Sequence, residues 1–246
     1  MLETAQKYVG RCIRCHRDGK PIAPIAEFVP YRIRKFGNAN PERMDNPFWM
    51  YMIGYAGGAF GAYRLVFGSS KVQEDHPVWC FRRFGGTRTW VSDREIVVAI
   101  GGEHEDWYDD DFCIYNDVIV FNEEASGTEI YGYPRDEFKP TDFHTATLIG
   151  DAIYIIGGLG YPEDRDVDRT PVYVLALNTM RIDFLPTHGE KPGWIWKHSV
   201  ALDESRNAIT LQGGKRLVAN TPNFSDEALE GVFELDIQSR RWSRLT

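Results

Sequence analysis

Two adjacent glycines close an apolar run three times in this chain, at equal spacing. Gly101-Gly102 follows Ile96-Val97-Val98-Ala99-Ile100, Gly157-Gly158 follows Ile153-Tyr154-Ile155-Ile156, and Gly213-Gly214 follows Ile209-Thr210-Leu211-Gln212. Each pair stands 56 residues from the next. Similar segments at equal intervals mark a repeated unit, and a period somewhat above about 40–50 residues in strand-rich sequence suggests propeller blades. A repeat constrains the fold strongly, because each unit buries its apolar face only by packing on its neighbours.

The remainder of each unit repeats too. His144-Thr145-Ala146-Thr147-Leu148 and His198-Ser199-Val200-Ala201-Leu202 precede the second and third Gly pairs, and Thr87-Arg88-Thr89-Trp90-Val91 precedes the first. Downstream come Asp117-Val118-Ile119-Val120-Phe121, Val172-Tyr173-Val174-Leu175 and Val232-Phe233-Glu234-Leu235. A turn and one more short run follow in each unit: Glu129-Ile130-Tyr131, Arg181-Ile182-Asp183-Phe184-Leu185 and Arg241-Trp242-Ser243-Arg244-Leu245. Such runs, rich in β-branched and aromatic residues and bounded by Gly, Pro, Asn and Asp, read as strands. Each unit therefore has four.

The Gly pairs, the His-leading strands, the Asn116-Asp117-Val118 step and the terminal Trp242 resemble the kelch repeat, over about residues 79–246. The resemblance implies an all-β propeller of antiparallel four-stranded blades around a central axis. Here it implies three recognisable blades, about 86–134, 144–186 and 197–246. The pattern departs where Arg88 takes the place of the leading His, and where the first two units lack the closing Trp. Propellers close with about four to eight blades, so three need a complement. Residues 1–78 form a divergent segment that closes or caps the ring, either as a degenerate fourth blade or as a helical cap. Two chains sharing a six-bladed ring are the third arrangement, so the chain is expected as a monomer or a homodimer.

Charge narrows the function classes. The chain of 246 residues carries 28 basic and 36 acidic residues, a formal charge of −8, whereas a nucleic-acid binder usually shows a basic excess. Four cysteines are too few for a disulfide framework. The first twenty residues lack the apolar stretch of a secretory signal, so a cytoplasmic protein is expected. Residues 46–63 are free of charge but hold four glycines and three tyrosines, and read as buried elements rather than a membrane span.

The negative charge is concentrated in three connections, each following a Gly pair. Residues 103–116 hold six acids and no Lys or Arg; residues 159–171 net −2 and residues 215–231 net −1. In a propeller these connections share one face, and recognition commonly lives on loops over a rigid scaffold. In the first of them Glu103, His104, Glu105, Asp106, Trp107, Tyr108, Asp109, Asp110 and Asp111 combine carboxylates with aromatics. Aromatics anchor interfaces while carboxylates steer basic partners. A Ca²⁺ loop is the weaker reading, since the spacing does not match an EF-hand.

His144 and His198 occupy equivalent places, as structural residues of a repeat do. Asp142 and Trp196 precede them by two, on the same strand face, so the four form a candidate axial pocket. Cys12-Ile13-Arg14-Cys15-His16 has the spacing of a haem attachment or of half a zinc site, for which Cys80 is a further candidate ligand; a pair of free cysteines is the simpler reading. No nucleophile elbow, P-loop, dinucleotide fingerprint or H-E-x-x-H occurs. The sequence thus favours an interaction module, without cofactor or metal, whose acidic, aromatic face holds a basic protein partner; a bacterial immunity or antitoxin-like protein is one form of it. The alternative is a kelch-type enzyme acting on a sugar or other small polar molecule at the axis.

Overall fold

A computed structural model describes residues 25–54, 58–59, 61–62, 78–106, 109–122, 127–220 and 223–246. After a short helix α1 (Ile25–Phe28) comes β1 (Glu42–Arg43), then helix α2 (Pro47–Gly54). Asn46 caps α2 by accepting from the Trp49 N–H at 2.9 Å, and Pro47 takes the first helical position, where its missing N–H costs nothing. The first unit then runs β2 (Thr87–Val91), β3 (Ile96–Ile100), a hairpin of β4 (Glu103–Asp106) and β5 (Asp109–Ile114), β6 (Val118–Asn122) and β7 (Thr128–Gly132). The second runs β8 (Thr145–Ile149), β9 (Ala152–Ile156), β10 (Val172–Ala176) and β11 (Arg181–Phe184). Two short strands, β12 (His188–Gly189) and β13 (Ile195–Trp196), lead to the third: β14 (Ser199–Asp203), β15 (Ala208–Gln212), a hairpin of β16 (Lys215–Asn220) and β17 (Asn223–Ala228), β18 (Val232–Asp236) and β19 (Arg241–Arg244).

The result is three antiparallel four-stranded sheets, each a meander, with orders β7-β6-β3-β2, β11-β10-β9-β8 and β19-β18-β15-β14. β1 adds a fifth strand outside β7, and β12 lies parallel outside β19. The first strands adjoin one another, β2 against β8 and β8 against β14. Among the described residues of these units the only helical pieces are two 3₁₀ turns of three residues.

The sheets stack through apolar seams. Val98, Ile100, Val118 and Val120 of the first sheet meet Ile153, Ile155, Tyr173 and Leu175 of the second. Ile156 and Val172 on the other face of the second meet Ile209, Leu211, Phe233, Leu235 and Trp242 of the third. A sheet buried on both faces reads as a continuous apolar run, as in Ala152-Ile153-Tyr154-Ile155-Ile156. The third sheet is covered by a neighbouring sheet on one face only, and Ile209-Thr210-Leu211-Gln212 alternates accordingly. Its far face carries Ser199, Ala201, Asp203, Thr210, Gln212, Glu234, Asp236, Arg241 and Ser243.

The first two Gly pairs sit where one sheet meets the next. The Gly102 N–H donates to the Thr141 carbonyl and the Gly158 N–H to the Ile195 carbonyl, both at 2.8 Å. Gly101 and Gly157 have φ of +56° and +71°, and a Cβ at either would collide with that same carbonyl oxygen. Only glycine admits both the backbone conformation and the close approach. Beside each pair a histidine ties the sheets: Thr87 Oγ1 lies 2.9 Å from His144 Nε2, and Thr145 Oγ1 lies 2.9 Å from His198 Nε2.

Strand register corrects one sequence reading. β2, β8 and β14 begin at Thr87, Thr145 and Ser199, so the counterpart of His144 and His198 is Gly86, not Arg88. A shift of two residues keeps the same strand face, so pattern alone does not separate the two alignments.

Among the described N-terminal residues, helix α2 packs on the first sheet. Phe48, Trp49, Met52 and Ile53 of α2 pack with Val78, Trp79, Val97, Ile119, Phe121 and Ile130. Each such side chain contributes roughly 1.5–3 kcal/mol when fully buried. Trp49 stacks on Trp79 at 4.9 Å between centroids. Behind them Arg83 and Asp117 form an ion pair with side chains 6% exposed, the guanidinium lying 3.4 Å over the Tyr115 ring. Asn40 reaches the second sheet, accepting from the Ile182 N–H at 2.9 Å. Among the described residues no helix is long and apolar enough to cross a membrane.

Candidate functional site

The three connections after the Gly pairs form one continuous surface. In the first unit the connection is the β4–β5 hairpin, fixed at its root by Phe84 and Glu103, whose N–H and C=O groups bond each other at 2.8 Å. In the second it is the segment 159–171. The two touch directly: the Ile114 N–H donates to the Tyr161 hydroxyl at 2.9 Å, and the Phe112 and Tyr161 rings meet edge to face at 6.1 Å. In the third unit the connection is the β16–β17 hairpin, whose inner strand pairs with β13. Trp194, Trp196 and Leu217 form a small apolar core with Leu159, Val167 and Phe143, which fastens the third connection to the second. Trp194 also donates from its indole nitrogen to the Leu159 carbonyl at 3.0 Å.

Charge on this surface is uneven. The third hairpin neutralises itself across its strands, with Lys215 against Asp226 and Arg216 against Glu227 at 2.7 Å. The Lys215 ammonium holds the Asp226 carboxyl below the ordinary range. In the second connection Asp164 is buried between Arg135 at 2.7 Å and Lys139 at 3.3 Å, and Arg165 is turned onto the Leu159 and Gly160 carbonyls. Asp166 and Asp168 are exposed. The first hairpin has six acids and no Lys or Arg in residues 103–116.

The residues singled out from the sequence divide as follows. Glu103, Glu105 and Asp106 lie on β4, and Asp109, Asp110 and Asp111 on β5. Of Glu105, Asp106 and the three consecutive aspartates the backbone alone is described, and Trp107 and Tyr108 lie outside the described residues. His104 is buried, its Nδ1 3.1 Å from the Arg82 carbonyl oxygen, so it stands behind the hairpin. Tyr115 is fully buried against Trp79.

Asp142, His144, Trp196 and His198 are at most 6% exposed and lie in the seams between sheets. Asp142 Oδ1 accepts from the Gly160 N–H at 2.8 Å; burial pushes its carboxyl up, while that N–H, Glu103 and Arg165 pull it down. Burial pushes the His144 imidazole down to about 3, helped by the nearby His198, and burial pushes His198 down to about 4. Both rings are therefore neutral at physiological pH, and each is tied to a threonine hydroxyl. Cys12, Cys15 and His16 lie outside the described residues; Cys80 and Cys113 are buried, and burial pushes the Cys113 thiol up to about 11. Among the described residues no group of three His, Cys, Asp or Glu side chains is disposed to hold a metal.

Two residues that build the surface, Tyr161 and Trp194, carry no local signal in the sequence, since their partners lie 47 and 35 residues away. No family model matches the chain, and no curated protein matches it.

Proposed function

We propose that this chain is an interaction module that holds a basic protein partner on the surface made by its three connections. The three sheets, fanned about their first strands, act in this reading as kelch-like propeller blades with the N-terminal helix as a cap. The observation that carries the reading is the joining of the connections through Tyr161, Trp194 and Leu217 into a single surface. A fold with no use for these segments would leave them as separate loops; fastening them together costs conformational entropy that a platform recovers on binding.

Hairpin charge supplies the selectivity. Six carboxylates within fourteen residues repel one another, and a cationic partner relieves that repulsion while being steered to the surface. Glu105, Asp106, Asp109, Asp110 and Asp111 act as the steering rim, with Trp107 and Tyr108 as anchors. A nuclease toxin, whose nucleic-acid site is basic, is one partner of the required chemistry, in which case the chain acts as an immunity or antitoxin-like protein.

The test is a titration of the partner, captured from a cell extract and then purified, against wild type and a variant with Asp109, Asp110 and Asp111 replaced by Asn. The association rate should fall about tenfold in the variant and fall steeply with salt in the wild type. Equal rates for the two proteins, unaffected by salt, would sink the proposal.

A further inference from the structure

The three sheets serve as internal controls for one another along their first strands. Because β2, β8 and β14 begin at Thr87, Thr145 and Ser199, Arg88 shares a place with Ala146 and Val200, and Trp90 shares one with Leu148 and Leu202. In the second and third sheets these places are apolar and packed into the seams. In the first sheet both residues are exposed. The fold therefore has no need of a cation where Arg88 stands.

Among the described residues Arg88 also lacks a counter-ion. It makes no ion pair among the described residues, and its nearest aromatic neighbour is Phe81, 5.8 Å from the guanidinium carbon. Its charged neighbour is another cation, Arg83, which is committed to Asp117. Burial and the Arg83 charge both push the Arg88 guanidinium below its usual range. A cation set beside a like charge is left uncompensated unless something negative joins it.

Next to Arg88 lies a recess of about 30 Å³, lined by Phe81, Arg83, Gly86, Thr87, Arg88 and Gly101. Gly86 is the counterpart of the two histidines, and a Cβ there would stand 3.0 Å from the Gly101 carbonyl oxygen, tighter than most Cβ contacts. The space lies on the face of the first sheet turned away from the second, where no imidazole stands. Phe84 and Glu103 bridge close by, so the recess opens at the root of the acidic hairpin.

We propose that this recess is a binding site for a carboxylate group, held by Arg88 at the rim above the neutral Arg83–Asp117 pair. The guanidinium fork matches a carboxylate in a bidentate pair, and the exposed edge of Trp90 offers an apolar surface for the body of the ligand. One uncompensated cation balances one carboxylate, whereas a phosphate dianion would retain an unpaired charge in a space of this size. The site is independent of the basic-partner surface and takes the opposite charge.

The experiment follows the Arg88 Nε–H resonance by ¹H–¹⁵N NMR while sodium acetate replaces sodium chloride at constant ionic strength. Acetate should give a saturable shift at Arg88 and at the Gly86 and Gly101 amides; phosphate should bind at least about tenfold more weakly. Arg88→Ala, which installs the residue of the second sheet, should keep the wild-type melting temperature and lose the saturable shift. Arg88→Lys serves the same purpose if the alanine variant does not fold, and should weaken binding. Acetate and chloride behaving alike, phosphate binding as tightly as acetate, or an Arg88 variant that retains the saturable shift would each overturn the assignment.

Discussion

Acidification from pH 7 to 5 should weaken the fold through its two seam histidines. Both start from an ordinary value of 6.5, and burial takes His144 to about 3 and His198 to about 4. A lowered folded value means that the unfolded chain binds more protons between 6.5 and the folded value. Stability is therefore full above 6.5 and falls as pH drops toward 4, at about 1.4 kcal/mol per pH unit for each ring. From pH 7 to 5 the loss is about 2 kcal/mol per histidine and about 4 kcal/mol for both, a large part of a typical stability of about 5–15 kcal/mol. Asp142 works the other way, since its raised carboxyl favours the folded state on protonation. Urea denaturation of wild type and of a His144→Gln, His198→Gln double variant at pH 7, 6 and 5 separates the contributions, because Asp142 is common to both proteins. Wild type should lose about 4 kcal/mol more than the double variant over this range. Parallel loss in the two proteins would refute the reasoning.

Removing one partner of the buried Arg83–Asp117 pair should be severe. Asp117→Ala leaves the guanidinium without its carboxylate and should cost about 3–5 kcal/mol in chemical denaturation, and a cost below 1 kcal/mol would show the pair to be solvated. The free face of the third sheet bears on closure. A six-bladed ring shared by two chains would bury Asp203, Glu234, Asp236 and Arg241 against another sheet, which a polar face opposes. Light scattering should therefore give a mass near 28.2 kDa, and twice that value would contradict this.

The three units were legible in the sequence because the Gly pairs recur at fixed spacing, and the first two mark a steric necessity at the seams between sheets. No other residue tolerates the positive φ and the approaching carbonyl at Gly101 and Gly157, so the spacing of glycines reports the spacing of sheets. The counterpart of the histidines was harder to read. Gly86 and Arg88 lie on the same strand face, and only the pairing register separates them. In α2 the run Phe48-Trp49-Met50-Tyr51-Met52-Ile53 is apolar all round, so it has no period to tell helix from strand. The alternation in residues 209–212, against the continuous apolar strands of the other two units, does carry the information that the third sheet is covered by a neighbouring sheet on one face only.

For the candidate surface, charge was readable and connectivity was not. Acidic content located the first hairpin, but composition does not reveal that Lys215 and Arg216 cancel Asp226 and Glu227 across their own strands. Nor does it reveal that Tyr161 and Trp194 fasten the three connections together, since both act over long sequence distances. His144 and His198, set in equivalent places, are explained by the seams they close.

The central claim is that one surface, built from three separate connections, receives the partner. Hydrogen–deuterium exchange with and without that purified partner tests it directly. Protection on binding should appear together in residues 103–114, 159–171 and 215–228, with the outer strands β11 and β19 unchanged. Protection confined to the free face of the third sheet or to α2, with the three connections exchanging as in the free protein, would contradict the account.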